Sequence, residues 1–394
     1  MKKRWSSKFR KVAPLLAAAT VAVVFAGPVA GSAANLSSVP FAVKAQNASE
    51  GSHYAIKPFF SKTVTPTPEP TTPAPTTAPT TPTPTPEPTP AGPDYSTRMT
   101  INTALSTCKA PFNLEINQLR TQPNAKINWG DGTEVTTATA GVNNHTYATK
   151  ARYNIEIVGT LDGLGRSSLT LPTAFGTGST SMSPVNCIES VDHFGEDSGI
   201  TNLAFMFQYA QNIKSVAAPP STVTNLSYMF NYARAFSANL NTWNTSKVTN
   251  FNGMFYGADA FNSHLNNWDV GSAKTMSYMF AQAQSFNGNI GNWRPVNATD
   301  MGHMFQQAYS LNQDLSQWTV GNVTNFTWMF WNTSAFNSSL GDWDIRKATD
   351  TSLMFGNTPV YNQNLSKWDV TAVRSKTDMF KGSAITAVNR PKGA

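Results

Sequence analysis

The chain has 394 residues and a formal charge of +7, with 25 prolines, 25 glycines and two cysteines. Six of the positive charges (Lys2, Lys3, Arg4, Lys8, Arg10 and Lys11) precede an apolar stretch from Ala13 to about Ala26, with no acidic residue among them. Without residues 1–33 the charge of +7 falls by those six to +1, so the basicity gives no ground for a nucleic-acid partner.

A basic start, an apolar stretch and the small residues Gly31-Ser32-Ala33 form the pattern of a secretory signal peptide over residues 1–33. The chain is therefore expected to be secreted or held at the cell surface, with no transmembrane segment after cleavage. No cysteine lies near the cleavage site, no sortase signal is visible and the chain ends on Lys392-Gly393-Ala394, so neither a lipoprotein nor a sortase anchor is expected. Residues 34–62 are expected to be a disordered mature segment. Residues 63–93 hold twelve of the 25 prolines among threonines and two glutamates. That composition packs no core and favours extended polyproline II, a linker of up to roughly 90 Å at about 3.1 Å per residue.

Residues 97–160 read as a small all-β module. Phe112 to Ile116, Ala125 to Trp129 and Tyr153 to Ile157 have strand patterns, and Gly130-Asp131-Gly132 is a turn. Trp129-Gly130-Asp131-Gly132-Thr133, followed by His145-Thr146-Tyr147, resembles the immunoglobulin-like PKD domains of extracellular proteins. The resemblance implies a spacer or adhesive sandwich in which Asp131 is a turn residue or a calcium ligand. Cys108 falls in this module and Cys187 in the connector and cap of residues 161–200. A bridge between them, two free thiols and an intermolecular bond all fit an exported chain; a bridge would contribute about 4 kcal/mol by restricting the unfolded ensemble.

Residues 201–383 form a repeat array with a period of 25 residues, apart from a first turn expected to be a cap, in which Phe207 lies 23 residues before Phe230 and Ala218 occupies the tryptophan column. Phe230, Phe255, Phe280, Phe305, Phe330, Phe355 and Phe380 each follow a methionine, and Trp243, Trp268, Trp293, Trp318, Trp343 and Trp368 keep the same beat. Such a period means stacked units, since 25 residues cannot bury enough apolar surface alone. Asn267 to Val270 alternates as a short strand, with Trp268 and Val270 inward. Met276, Met279, Phe280 and Ala283 fall at i, i+3, i+4 and i+7, one face of a helix. Thr224, Thr249, Thr299, Thr324 and Thr349 stand where that helix would be capped. The column Asn262, Asn287, Asn312, Asn337 and Asn362 is expected to form a ladder between turns. The fold class that follows is an α/β solenoid of leucine-rich-repeat type, with one strand and one helix per turn, a β sandwich before it and a short tail over 384–394.

The pattern Leu265-x-x-Trp268-Asp269-Val270, with Met276-x-x-Met279-Phe280-x-x-Ala283-x-x-Phe286-Asn287, resembles the BspA-like bacterial surface proteins. That resemblance implies a secreted or cell-surface interaction protein, with adhesion as its usual role. The expected partners are extracellular proteins or glycans.

No catalytic site, cofactor or metal is expected. Beyond Asp197 there is no glutamate or cysteine, and His264 and His303 are the only histidines. Paired-carboxylate chemistry would rest on aspartates alone, and a cysteine nucleophile is lacking. Contact function is expected instead in outward columns. One is the strip flanking the tryptophans, which includes Asp269, Arg294, Asp344 and Asp369; Asp342, Asp344 and Asp369 would either be a solvated face or bind calcium. The other is the helix face carrying Tyr228, Tyr278, His303, Trp328 and Trp331, whose aromatics suit sugars or a protein groove. The competing reading is a carbohydrate-binding accessory module, or an enzyme of secreted polysaccharide metabolism, suggested by the linker and the β module.

Overall fold

A computed structural model describes residues 92–108, 110–119, 125–164 and 185–394. The signal peptide, the segment after it and all of the linker before Gly92 lie outside the described residues, as does 165–184 of the connector.

The β module has two sheets. In the first, β4 (Thr136–Thr137), β3 (Lys126–Asn128), β6 (Arg152–Val158), β1 (Ser96–Asn102), β8 (Ile188–Phe194) and β9 (Ser215–Val216) lie in that order. In the second, β5 (Gly141–His145), β2 (Phe112–Leu119) and β7 (Leu161–Leu164) lie in that order. The alternation of Tyr153 to Ile157 places Ile155 and Ile157 in the core, where Trp129 is also buried. Gly130 has a φ of 78°, and a Cβ there would fall 2.3 Å from the Asn154 carbonyl oxygen, so the turn requires glycine. The sheets reach past residue 160: β7 and β8 both come from the expected connector.

The module and the repeats share one hydrophobic core. Strand β8 pairs with β9 of the first coil in parallel, and Gly163 of β7 starts a file of parallel bridges through Asn202, Asn225, Asn250, Thr275, Asp300, Asn325, Asp350 and Ser375. Cys108 and Cys187 are joined by a disulfide, their Cα atoms 4.7 Å apart. Buried Glu189 of β8 accepts from Arg152 of β6 at 2.6 Å and from Lys214 of the first coil at 2.7 Å. The Arg152 bond, ahead of the opposing effect of burial and the help of Lys214, holds the Glu189 carboxyl down at about 2.

The repeats stack in register, but they contain no helix, and the α/β solenoid is corrected accordingly. The helical pieces among the described residues are three single turns of 3-10 helix, at 185–187, 196–198 and 387–389. Met276, Met279, Phe280 and Ala283 are fully buried as expected. Their spacing, however, comes from consecutive tight turns: Met279, Ala281 and Ala283 donate to the carbonyls three residues back, at 3.1–3.2 Å. The intervening N–H groups of Met276, Tyr278, Phe280 and Gln282 leave the coil and reach Asp300, Gly302, Met304 and Gln306 of the next coil at 2.7–3.0 Å. Tyr278 and Gln282 both have a φ of 57°, in the left-handed region, which ends any helix. Two such residues cost about 2–4 kcal/mol per coil, and four inter-coil bonds at about 1 kcal/mol each offset that.

The expected strand is corrected too. Trp268 and Val270 point inward and Asn267 and Asp269 outward, but Trp268 closes a turn onto the Leu265 carbonyl at 3.1 Å and no ladder forms there. The threonine column is not a row of helix caps. Thr249, Thr299, Thr324 and Thr349 each donate both N–H and hydroxyl to the equivalent carbonyl of the coil before, the N–H at 2.8–2.9 Å.

Inside, like meets like. Neighbouring tryptophans from Trp243 to Trp368 stack with ring centroids 5.7–6.5 Å apart. From Trp268 onward each indole Nε1 donates to a Leu or Ile carbonyl 28 residues earlier, at 2.8–3.0 Å. The asparagine ladder also forms: each N–H from Asn287 to Asn362 donates to the amide oxygen of the asparagine one coil before, at 2.7–3.1 Å. The expected tail completes the last coil, with Ile385 buried and Asn389 accepting from Leu365 at 2.8 Å.

Candidate contact surfaces

The left-handed positions build one outer flank of the array. Phe205, Tyr228, Gly253, Tyr278, His303, Trp328, Leu353 and Asp378 form one column, all with φ of 53–60°. The backbone there turns the side chain away from the core, so Phe205, Tyr228, Tyr278, His303, Trp328 and Leu353 are half-exposed and Asp378 is exposed, while the methionine and phenylalanine that follow each position are buried. Tyr278 stacks on His303 with centroids 4.3 Å apart, His303 on Trp328 at 5.7 Å, and Trp328 meets Trp331 at 5.0 Å and 44°. Four of the five residues expected on this face thus form one continuous row. Tyr228 is set apart from it by the coil of Gly253 and stacks on Phe205 at 5.1 Å.

Gly253 explains the gap. A Cβ there would fall 2.3 Å from the Tyr228 ring, and Gly257 stands in the same relation to Tyr232. Each tyrosine leans across a glycine onto the following coil, and Tyr232 extends to Gln282, two coils on, at 3.3 Å. Tyr256 meets Tyr232 edge-on at 5.0 Å. Phe205, Tyr209, Tyr232 and Tyr256 therefore belong to the flank as well. Their signal was available in the sequence, since Tyr209 and Tyr232 repeat the spacing of Phe205 and Tyr228.

Burial raises the Tyr228 and Tyr278 hydroxyls above the ordinary phenol range. It lowers His303, whose Nδ1 lies 2.7 Å from the Gln306 amide oxygen, and this favours a neutral ring at pH 7. Amides surround the row: Gln306, Gln307 and Asn332 occupy the adjoining positions.

The strip beside the tryptophans is exposed, and its charged residues are engaged locally. Asp269 accepts from the Gly271 N–H at 2.8 Å, and Arg294 donates to the Trp293 carbonyl at 2.9 Å. Asp369 accepts from the Thr371 hydroxyl at 2.7 Å, which with the Thr371 N–H lowers its carboxyl. Asp344 takes a two-pronged contact from Arg346 at 2.8 and 2.9 Å, which holds it down at about 2. Asp342, Asp344 and Asp369 line one shallow depression, but Arg346 and Lys367 line it with them. Among the described residues no three or more His, Cys, Asp or Glu side chains come together as a metal site would require.

In the β module His145 lies flat on Trp129 at 4.9 Å, and its Nε2 meets Asp131 at 2.7 Å. Burial would raise the Asp131 carboxyl, but bonds from Thr133 and His145 outweigh it and bring the group to about 2. One Asp131 oxygen accepts from the Thr133 N–H and hydroxyl within the turn, and the other faces His145. His264 sits apart, accepting from the Asn289 N–H at 3.0 Å beside an asparagine-lined cleft. No helix among the described residues is long and apolar enough to cross a membrane.

These observations define a repeat protein of stacked parallel coils with a half-exposed aromatic flank. The family described as "Mycoplasma protein of unknown function, DUF285" matches residues 201–301 and again 288–391, so the repeat array as a whole is similar to that family. No curated protein and no solved structure matches the chain.

Proposed function

We propose that the chain is a secreted or cell-surface interaction protein of the BspA-like kind, non-catalytic, whose array presents a rigid face to extracellular proteins or glycans. The observation that carries this reading is the half-exposed row in which Tyr278, His303 and Trp328 stack ring on ring and Trp331 meets Trp328 at a tilt. Rings held by stacking and by the backbone lose little freedom on binding, which favours contact residues of this type. The leader and linker support export and reach, and the β module, through its likeness to PKD domains, serves as a spacer. Repetition of the coil gives many similar weak contacts in a line.

Glycans are a specific second reading because amide side chains surround the rings. Stacking on a sugar face with amides to its hydroxyls is the usual division of labour in such sites. The test is a binding screen of the purified chain against matrix proteins, cell walls and polysaccharides. A ligand whose binding is lost in Trp328→Ala and Trp331→Ala supports the aromatic face, and selective glycan binding favours the second reading. Binding unchanged in both variants, or turnover of a substrate, would overturn the proposal.

A further inference from the structure

Four rows of backbone hydrogen bonds join the coils at the outer flank, and all four run one way. Leu203, Phe205, Phe207 and Tyr209 donate their N–H groups to Asn225, Ser227, Met229 and Asn231. The same four donations recur at every coil until Thr351, Leu353, Phe355 and Asn357 donate to Ser375, Thr377, Met379 and Lys381. In an ordinary parallel sheet N–H and C=O groups point alternately to both sides and the dipoles nearly cancel. Here the left-handed residues turn every second peptide so that all four rows share one direction. Each row is a file of aligned peptide dipoles, positive toward the last coil, in the way a helix is positive at its first turn. Bonds of the threonine column run the other way, as do those from Ala260, Ser285, Ser310 and Ala384 to Arg234, Asp259, Gln284 and Thr358, and they offset part of this.

The files end on the N–H groups of Lys376, Asp378, Phe380 and Gly382, which occupy the donor positions of the final coil. No described residue accepts a hydrogen bond from any of the four. Asp378 and Gly382 are exposed. Arg374, Lys376 and Lys381 lie along the same segment, and Arg390 of the returning tail sits 5.4 Å from the Phe380 ring centre. The one carboxylate of that segment, Asp378, is already engaged by Lys381 at 3.0 Å. The other end of the array is different, because Asn202 accepts there from Leu164 of the β module.

We propose that this final coil edge docks an extended, acidic polypeptide segment of a partner. The segment would lie on the edge as another coil does, its carbonyls accepting from Lys376, Asp378, Phe380 and Gly382 and its carboxylates placed among Arg374, Lys376 and Arg390. Main-chain donors supply affinity for a segment that turns its carbonyls to one side as the coils do, and the cations with the aligned dipoles select acidic ones. The proposal concerns a different part of the molecule from the aromatic flank, and either stands without the other.

The test uses the full chain with two fluorescent ten-residue peptides, one alternating aspartate with valine and one alternating lysine with valine. The expected result is salt-sensitive binding of the aspartate peptide alone, with slowed amide hydrogen exchange across residues 376–382. The double variant Arg374→Glu, Lys376→Glu should weaken that binding about tenfold, with its tryptophan fluorescence unchanged as evidence of an intact array. Equal binding of both peptides, or protection elsewhere than 376–382, would overturn the proposal. Protection of that segment that grows with protein concentration alone would also overturn it, and would assign the edge to a second copy of the chain.

Discussion

Replacing Tyr361 by phenylalanine should make the protein more stable. Tyr361 occupies the column of Phe236, Phe261, Phe286 and Phe336 and is fully buried, its ring 5.7 Å from Phe336 and parallel to it, and 4.4 Å from Phe355. Its hydroxyl has no hydrogen-bond partner among the described residues, and burial pushes its ionisation far above the ordinary phenol range. An unsatisfied buried hydroxyl costs about 1–3 kcal/mol, while the ring itself is equally at home as phenylalanine. Tyr361→Phe removes the oxygen and leaves the stacking unchanged, apart from a void smaller than a methyl group. The expected gain is about 1–2 kcal/mol, or about 2–8 °C in Tm for an array of this length. Urea denaturation followed by tryptophan fluorescence measures it as a shift of the midpoint at constant slope. A variant less stable than the parent would refute the reasoning, since it would mean that the hydroxyl has a partner, such as a buried water, whose bond outweighs its desolvation.

Trp318→Phe deletes the indole donor to the Ile290 carbonyl and leaves a cavity between Trp293 and Trp343; a loss of about 2–4 kcal/mol is expected in the same urea assay. Cys108→Ser opens the link between the module and the connector, so Tm should fall and the parent in reductant should match the variant; the entropic estimate is about 4 kcal/mol. Glu189 has a depressed folded-state pKa of about 2, so its contribution is fully present above the unfolded carboxylate value of 4.5 and is lost as pH falls toward 2. Glu189→Gln should therefore destabilise at pH 7, and the gap between variant and parent in thermal melts should narrow between pH 5 and pH 2. A gap independent of pH would show that the ion pairs with Arg152 and Lys214 are not its source.

The period and the inward columns were legible because a 25-residue repeat forces identical residues into contact with their counterparts, and only large apolar side chains fill such a core. The backbone conformation was not legible from Met276, Met279, Phe280 and Ala283, since the spacing i, i+3, i+4, i+7 serves two tight turns in succession as well as one helical face. The signal that separates the two was present in other columns. Gly257, Asn332, Asn357 and Gly382 share one column and Gly253 stands four residues before it, and glycine and asparagine at fixed positions mark a left-handed backbone. Their aromatic column mates, Tyr228 and Trp328, hid that signal because large residues rarely adopt positive φ. The outward direction of Tyr278, His303 and Trp328 was legible nonetheless, since both conformations turn that column to solvent. The charged strip was found in place, but the engagement of Asp344 by Arg346 depends on a turn that spacing alone does not reveal.

Because the asparagine, tryptophan and threonine seams bond only to the coil before and the coil after, deleting or copying one whole repeat presents every seam with the group it already met. Such a chain changes reach in steps of one coil while its two ends, the β module and the closing tail, keep the same neighbours. Gene segments of seventy-five nucleotides are therefore interchangeable parts in this architecture, and the number of binding positions along the flank is free to drift without any redesign of the fold.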